Sequence, residues 1–365
     1  MILHLYFAKR FARTFAGVFA VFFLMIAFLD LIEQLGKFAG EGVGFGRIVG
    51  LTLLNTPEGV YRILPLITVL ATIALFLSLA RSSEMVVTRA AGRSALRSLV
   101  APTIVAFMIG AASVAVLNPI VAGTQQEYER READIERGGT STLALSEEGL
   151  WLRQGDGDQQ TVIRAESASL DGTRLARASF IVFGEGSGPT RRLEAARAEL
   201  RPGEWALEDV KAWPLGTIEN PEAAATRHDR LTLPSTLTRD QIRDRLGTPS
   251  SIPIWDLPAF IEQLERAGFS SRRHLVWFQM ELALPAFLVS MLLVAAGLTM
   301  RHQRGGRTGI AVLIAVMLGF GLYFLRNFAQ ILGENGQIPA IIAAWIPPSA
   351  AICLALGLLL HLEDG

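Results

Sequence analysis

The chain has 365 residues, of which 34 are basic and 34 acidic, with five histidines and one cysteine. About half of it is apolar (51%) and its mean hydropathy is +0.37, which excludes an ordinary soluble composition. The zero net charge averages over several environments and nothing in it suggests a nucleic-acid partner, and the lone Cys353 excludes an intramolecular disulfide and a cysteine-based metal site.

Charge is unevenly placed. It thins in the first third and the last quarter and crowds between Gln125 and Arg273. The N-terminus opens on a basic stretch followed by an apolar, Phe-rich run at residues 15–29. That run lacks a small-x-small cleavage site and reads as a retained helix, not a signal peptide. Crossing the hydrocarbon takes about 20 apolar residues. Six segments qualify, at 11–35, 57–79, 99–121, 275–299, 309–331 and 339–361. Without water to bond, each must be a helix. Basic residues collect in alternate connections: Lys9, Arg10 and Arg13; Arg81, Arg89, Arg93 and Arg97; Arg301, Arg304 and Arg307. The opposite connections, 36–56 and 332–338, hold only Lys37 and Arg47. The asymmetry predicts cytoplasmic termini and a large insertion on the far side.

The insertion starts with a polar helical stretch, 125–137, that prolongs the third span. From 141 to about 233 the pattern alternates, with turn signals at 154–158, 171–172, 184–189 and 201–203, which predicts an antiparallel sandwich or barrel. A helical segment at 255–267 then leads back. The predicted class is a membrane α-helical protein of six transmembrane helices with an inserted all-β domain. Its plan is 1–121, 122–273 and 274–365.

No enzyme motif is present. There is no Walker A sequence, no G-x-S-x-G elbow and no metal-spaced histidine cluster, so neither catalysis nor a cofactor or metal is expected of this chain. The connection at 81–93 is more informative. Ser82 or Ser83 can cap a short helix and Gly92 can end it, with Glu84, Arg89 and Arg93 as ionic contacts. Two readings stay open: a helix that docks into a soluble partner, or a surface turn on lipid headgroups.

The Ser-Glu-x-x-x-x-Arg-Ala-x-Gly pattern at 83–92 resembles the coupling helix of the LptF/LptG family of permeases, which export lipopolysaccharide. The stretch 28–37 (FLDLIEQLGK) and the Gly-Gln-Ile-Pro turn at 336–339 are similar to the LptG branch. The resemblance covers nearly the whole chain. It implies a permease subunit of an ABC exporter in the bacterial inner membrane, with a periplasmic β-jellyroll at about 122–273. It also implies an LptF-like sister permease, a dimer of a separate LptB-like ATPase, and LptC/LptA-like jellyroll proteins that receive lipopolysaccharide. Glu84, Arg89 and Gly92 would then couple to the ATPase, and Lys37 would meet substrate phosphates at the outer leaflet.

Charges at membrane depth are expensive unless paired or functional. Asp30 and Glu33 lie near the outer end of the first span, Glu58 and Arg62 open the second, Glu281 lies within the fourth and Arg326 within the fifth. Arg62 and Arg326 are further candidates for phosphate, by charge-assisted hydrogen bonds. Pairing, such as Glu281 with Arg326, or snorkelling to the interface is the competing reading. Phe22, on an aromatic face with Phe15, Phe19 and Phe23, suits either acyl chains of a substrate or ordinary lipid. A membrane-anchored periplasmic scaffold or sensor is the alternative function, and the short cytoplasmic connections, with no output domain, weigh against it.

Overall fold

The computed structural model describes residues 2–39, 43–82, 84, 88, 94–137, 143–146, 149–156, 159–169, 173–184, 188–215, 221–235, 237, 248–266, 269–300 and 308–364. The chain forms two compact units. One, of helices, comprises Met1–Arg131, Pro253–Trp255 and Arg272–Gly365; the other comprises Glu132–Ile252 and Asp256–Ser271.

In the helical unit, α1 (Ile2–Lys37) is followed by α2 (Phe45–Arg62), α3 (Leu64–Arg81) and α4 (Ala95–Ala112). A π-turn, Ser113–Leu117, joins α4 to α5 (Asn118–Arg137) without a stop. After the β domain come α6 (Leu257–Arg266), α7 (Arg272–Leu282), α8 (Leu284–Thr299), α9 (Thr308–Glu334) and α10 (Ala340–Asp364). Among the described residues, five stretches are long and apolar enough to span: Leu3–Lys37, Leu64–Arg81, Leu96–Glu132, Gly309–Glu334 and Ala340–His361. The sixth is the pair α7–α8, bent by 51°. The third stretch, 37 residues, runs on the order of 55 Å, well beyond a hydrocarbon layer of about 30 Å.

Two sequence expectations change in detail. The segment read as one span at 57–79 is the end of α2 plus α3, divided at Ile63, and the connection 36–56 read as a loop holds most of α2. The span read at 275–299 is likewise divided, at Ala283. The cause is shared: Leu64-Pro65 and Leu284-Pro285 each open a new helix, because proline has no N–H for the carbonyl four residues back. Hydropathy sees these as continuous runs, since proline in an apolar window barely lowers its mean.

Helix α8 sits at the centre, packed by α3, α4, α9 and α10, and its side chains from Leu284 to Gly297 are almost all buried. Between membrane helices there is no water-driven force, so small residues that allow close approach do much of the work. Gly110 of α4 shows this: a Cβ there would lie 2.5 Å from the Pro285 backbone. The proline break of α8 and the glycine of α4 are therefore complementary.

The β domain is one seven-stranded antiparallel sheet in the order β1 to β7: Leu143–Ser146, Gly149–Asp156, Gln159–Ala168, Arg174–Phe183, Pro189–Arg201, Glu204–Pro214 and Thr226–Pro234. Neighbours in sequence are neighbours in the sheet. Alternation places Phe180, Leu193, Trp205 and Leu207 on one face, where Leu264 of α6 and Phe269 complete the core. Buried Gln154 accepts from the Trp205 indole (3.2 Å) and the Ser235 hydroxyl (2.7 Å), and donates to the Pro234 carbonyl (3.1 Å).

A crease crosses three strands. The buried set changes parity between Leu175 and Ala178, between Ala195 and Ala198, and between Leu207 and Val210, while the pairing register holds. Arg177 (φ 49°) and Asp209 (φ 50°) occupy this row in left-handed backbone, each turning its strand so that the next side chain faces the core.

Gly110→Ala is expected to lower the thermal midpoint of the detergent-solubilised protein, at an overpacking cost of about 1–3 kcal/mol. Gly123→Ala, with nothing within 4 Å of its added Cβ, serves as the neutral control. Equal midpoints would show that α4 and α8 have room to part.

Candidate functional site

Near the start of α1, Tyr6 and Arg10 lie one turn apart, as i and i+4 positions do. Both reach Glu84, just beyond the end of α3. The Arg10 guanidinium donates to both Glu84 oxygens, at 2.6 and 2.7 Å, and the Tyr6 hydroxyl donates to Oε2 at 2.6 Å. Ser82 donates to Oε1 at 2.7 Å, and a second Arg10 nitrogen donates to Ser78 Oγ at 2.8 Å. Arg10 also donates to the Tyr6 hydroxyl. Thr88 back-bonds to the Glu84 carbonyl at 2.7 Å, a helical spacing at this point. One carboxylate thus clamps the start of α1 to the end of α3.

Partial burial pushes the Glu84 carboxyl up, but hydrogen bonds from Tyr6, Ser82 and Arg10 outweigh it and hold the group below the usual carboxylate range. The clamp is therefore ionic at neutral pH. Arg89 and Gly92, the other two residues nominated for coupling, lie outside the described residues. Tyr6 escaped the sequence reading altogether, and Arg10 was read only as one charge of the N-terminal flank. The i, i+4 spacing puts Tyr6 and Arg10 on one face of α1, but Lys9 and Arg13 lie beside them and nothing local points to Glu84.

The residues nominated for substrate each have a local setting. Lys37 is exposed at the last turn of α1, its ammonium 5.5 Å from the Phe38 ring centroid. Phe22 packs against the helical core, beside a ladder of Phe11, Phe15, Phe19 and Phe23 with centroids 6.3–6.4 Å apart. Arg62 is exposed and ion-paired with Glu58 at 2.7 Å, a surface pair of the kind that contributes little. Arg326 lies over the Phe287 ring, 5.3 Å from its centroid, and within electrostatic reach of Glu281. Its stacking on α8 leaves it less available to a phosphate than its sequence position suggests.

Glu281 itself is bonded to neutral partners and not directly to Arg326. It is 1% exposed and accepts from the Tyr61 hydroxyl and from Asn118 Nδ2 at 3.2 Å. A second polar cluster ties α1 to α2 and α5. Asn55 donates to Asp30 at 2.6 Å, and Gln34 donates to the Tyr128 hydroxyl at 2.8 Å. Among the described residues no group of three or more His, Cys, Asp or Glu is arranged to hold a metal.

Among the described residues, up to six apolar stretches long enough to cross a membrane, with a β domain inserted after the third, define a multi-pass membrane protein. Residues 5–361 match the family described as lipopolysaccharide export system permease LptF/LptG, and the chain belongs to that family. It is similar to the lipopolysaccharide export system permease protein LptG of Escherichia coli strain K12, with 23% identity over 347 residues, covering 92% of this chain and 91% of that one. Its likeness to the LptG protein of Haemophilus influenzae is 24% over 366 residues, covering 95% and 96%.

The clamp predicts a pH signature. A folded value below the unfolded one, about 4.3, means that stabilisation is complete above the unfolded value and is lost as pH falls through the folded one. Glu84→Gln is expected to lower the thermal midpoint at pH 7, with a coupling to Arg10→Gln of about 0.5–1 kcal/mol in a double-mutant cycle. The deficit should shrink toward pH 3.5. A deficit independent of pH would remove the ionic account.

Proposed function

We propose that this chain is the LptG-like subunit of an ABC exporter that extracts lipopolysaccharide from the outer leaflet of the bacterial inner membrane and passes it to a periplasmic bridge. The observation that carries the reading is the family match over residues 5–361, together with a β domain inserted between the third and fourth spans. The partners in this reading are an LptF-like permease, a dimeric LptB-like ATPase that hydrolyses the ATP, and LptC/LptA-like proteins that continue the β domain. The alternation of Arg and Lys among the connections supports cytoplasmic termini and a periplasmic β domain.

In this orientation the Glu84 clamp lies at the cytoplasmic face, where the segment from Ser82 to Gly92 meets the ATPase. Closure of the ATPase pushes on that segment, and the clamp transmits the displacement jointly to α1 and α3. Arg89 and Gly92 belong to that segment and take part in the coupling in the same reading. At the outer rim, Lys37 binds substrate phosphate, with Arg62 as a second cation once Glu58 releases it. Arg326, stacked on Phe287, contributes positive potential more than a direct contact. Phe22 belongs to the apolar wall for acyl chains.

The test is purification of the tagged chain from its host in mild detergent, followed by reconstitution in vesicles containing lipopolysaccharide. Co-purification of an ATPase, a second six-span subunit and bound lipopolysaccharide supports the reading. Emergence of the folded chain alone overturns it. In the reconstituted complex Glu84→Ala is expected to cut ATP-dependent release at least tenfold, with the protein still inserted. Lys37→Glu should weaken lipopolysaccharide crosslinking severalfold and leave basal ATP hydrolysis unchanged.

A further inference from the structure

Three irregularities of the helical unit meet at one buried carboxylate. Tyr61 lies just before the α2–α3 break, four residues ahead of Pro65, and Glu281 lies just before the α7–α8 break, four ahead of Pro285. The Tyr61 hydroxyl donates to Glu281 Oε2, so the two proline breaks are tied to each other directly. The third irregularity is the π-turn at Ser113–Leu117, immediately before Asn118. Asn118 Nδ2 donates to the same Glu281 oxygen, at 3.2 Å.

Asn118 also faces the other way. Its Oδ1 accepts from the Ile254 backbone N–H at 2.9 Å, and the Trp255 indole donates to the Ala115 carbonyl within the π-turn at 3.3 Å. A π-turn frees a carbonyl from the regular ladder, and Trp255 takes one. The Ile254 side chain is itself buried in the helical core. Residues Pro253–Trp255 are therefore a strap, anchored to the helical unit by backbone, side chain and indole, in the segment through which the chain returns from the β domain.

A carboxylate in hydrocarbon carries a large desolvation cost, and a leucine at position 281 would pack without it. Its place at the meeting point of two breaks, a π-turn and a strap points to a mechanical role. Helix α3 supplies the lever. It runs unbroken from Leu64, next to Tyr61, to Arg81, next to the Glu84 clamp, a rod of about 27 Å. Large backbone changes concentrate at such breaks, because a packed helix between them moves as a rigid body.

We infer that Glu281 is a positioning residue, which through Tyr61 and Asn118 holds both proline breaks and the strap in one register. Movement of the clamped end of α3 is thereby delivered to the segment that leads to the β domain. The role is an acceptor's, not a charge's: one oxygen receives both donors. The transport part of this inference rests on the permease reading, and the exchange measurement below does not.

The test uses Tyr61→Phe, Asn118→Ala and Glu281→Gln. In the purified full chain, the Ile254 amide is expected to exchange with solvent at least tenfold faster in Asn118→Ala, with exchange across α8 unchanged. In the reconstituted exporter, Tyr61→Phe and Asn118→Ala should deliver at least fivefold less lipopolysaccharide per ATP, with hydrolysis within twofold of the parent. Glu281→Gln, which keeps an acceptor oxygen, should stay within twofold in delivery. Parent-like delivery by both Tyr61→Phe and Asn118→Ala overturns the inference. So does an unchanged Ile254 exchange rate, or a Glu281→Gln defect as large as theirs. Loss of delivery and hydrolysis in equal proportion would mark the joint as merely structural and overturn it too. A parent protein that recruits no ATPase and releases no lipopolysaccharide defeats the permease reading instead, while the amide exchange still reports on the joint.

Discussion

Inside hydrocarbon a backbone amide has no water to bond, so every departure from a regular helix must be covered by protein. The helical unit departs from regularity at Ile63, at Ser113–Leu117 and at Ala283. It answers with internal partners. The Ile63 N–H turns back to the Tyr61 carbonyl, the Ala283 N–H reaches Gln279, and the Trp255 indole covers Ala115. The side chains of Tyr61, Asn118 and Glu281 then link these places to one another. Gly110 is part of the same constraint, since only a missing side chain lets α4 pass the Pro285 backbone. Breaks that would be weaknesses in isolation become one packed joint.

That arrangement leaves α3 with a polar attachment near each end. At one end Glu84 is held by Arg10, Tyr6 and Ser82, partly exposed and ionic. At the other Glu281 is held by two neutral donors, with almost no exposure. The two environments differ in cost: a clamp near water can be opened cheaply, whereas a buried carboxylate stripped of partners is costly to leave behind.

The β domain solves a different problem. A meander with one apolar face must keep that face inward where the sheet bends. Arg177 and Asp209 do so by taking left-handed backbone; the ladder skips their row and resumes in the same register on either side. The cost of such a conformation for residues other than glycine is met by the core it preserves around Phe180 and Trp205, whose rings lie 6.0 Å apart.

Much of this was legible in the residues alone. Long apolar runs and strand alternation depend on local periodicity and on transfer from water to lipid, so they identify apolar spans and an inserted β domain without coordinates. The motif at 83–92 carried the family, and Glu84 stood out within it. Its partners did not, because Arg10 and Tyr6 are 74 and 78 residues away and nothing local marks them. Glu281 was visible as an expensive charge, and Arg326 does lie within its electrostatic reach, but its hydrogen bonds go elsewhere for a geometric reason. Tyr61 and Asn118, 220 and 163 residues distant, are brought against it by two proline breaks and a π-turn. Sequence by itself determined which segments enter the membrane and which charges are costly there, since both follow from composition and short-range order. Only the tertiary structure decided how those charges are met, because hydrogen bonds between helices depend on where each helix breaks and which face it then presents.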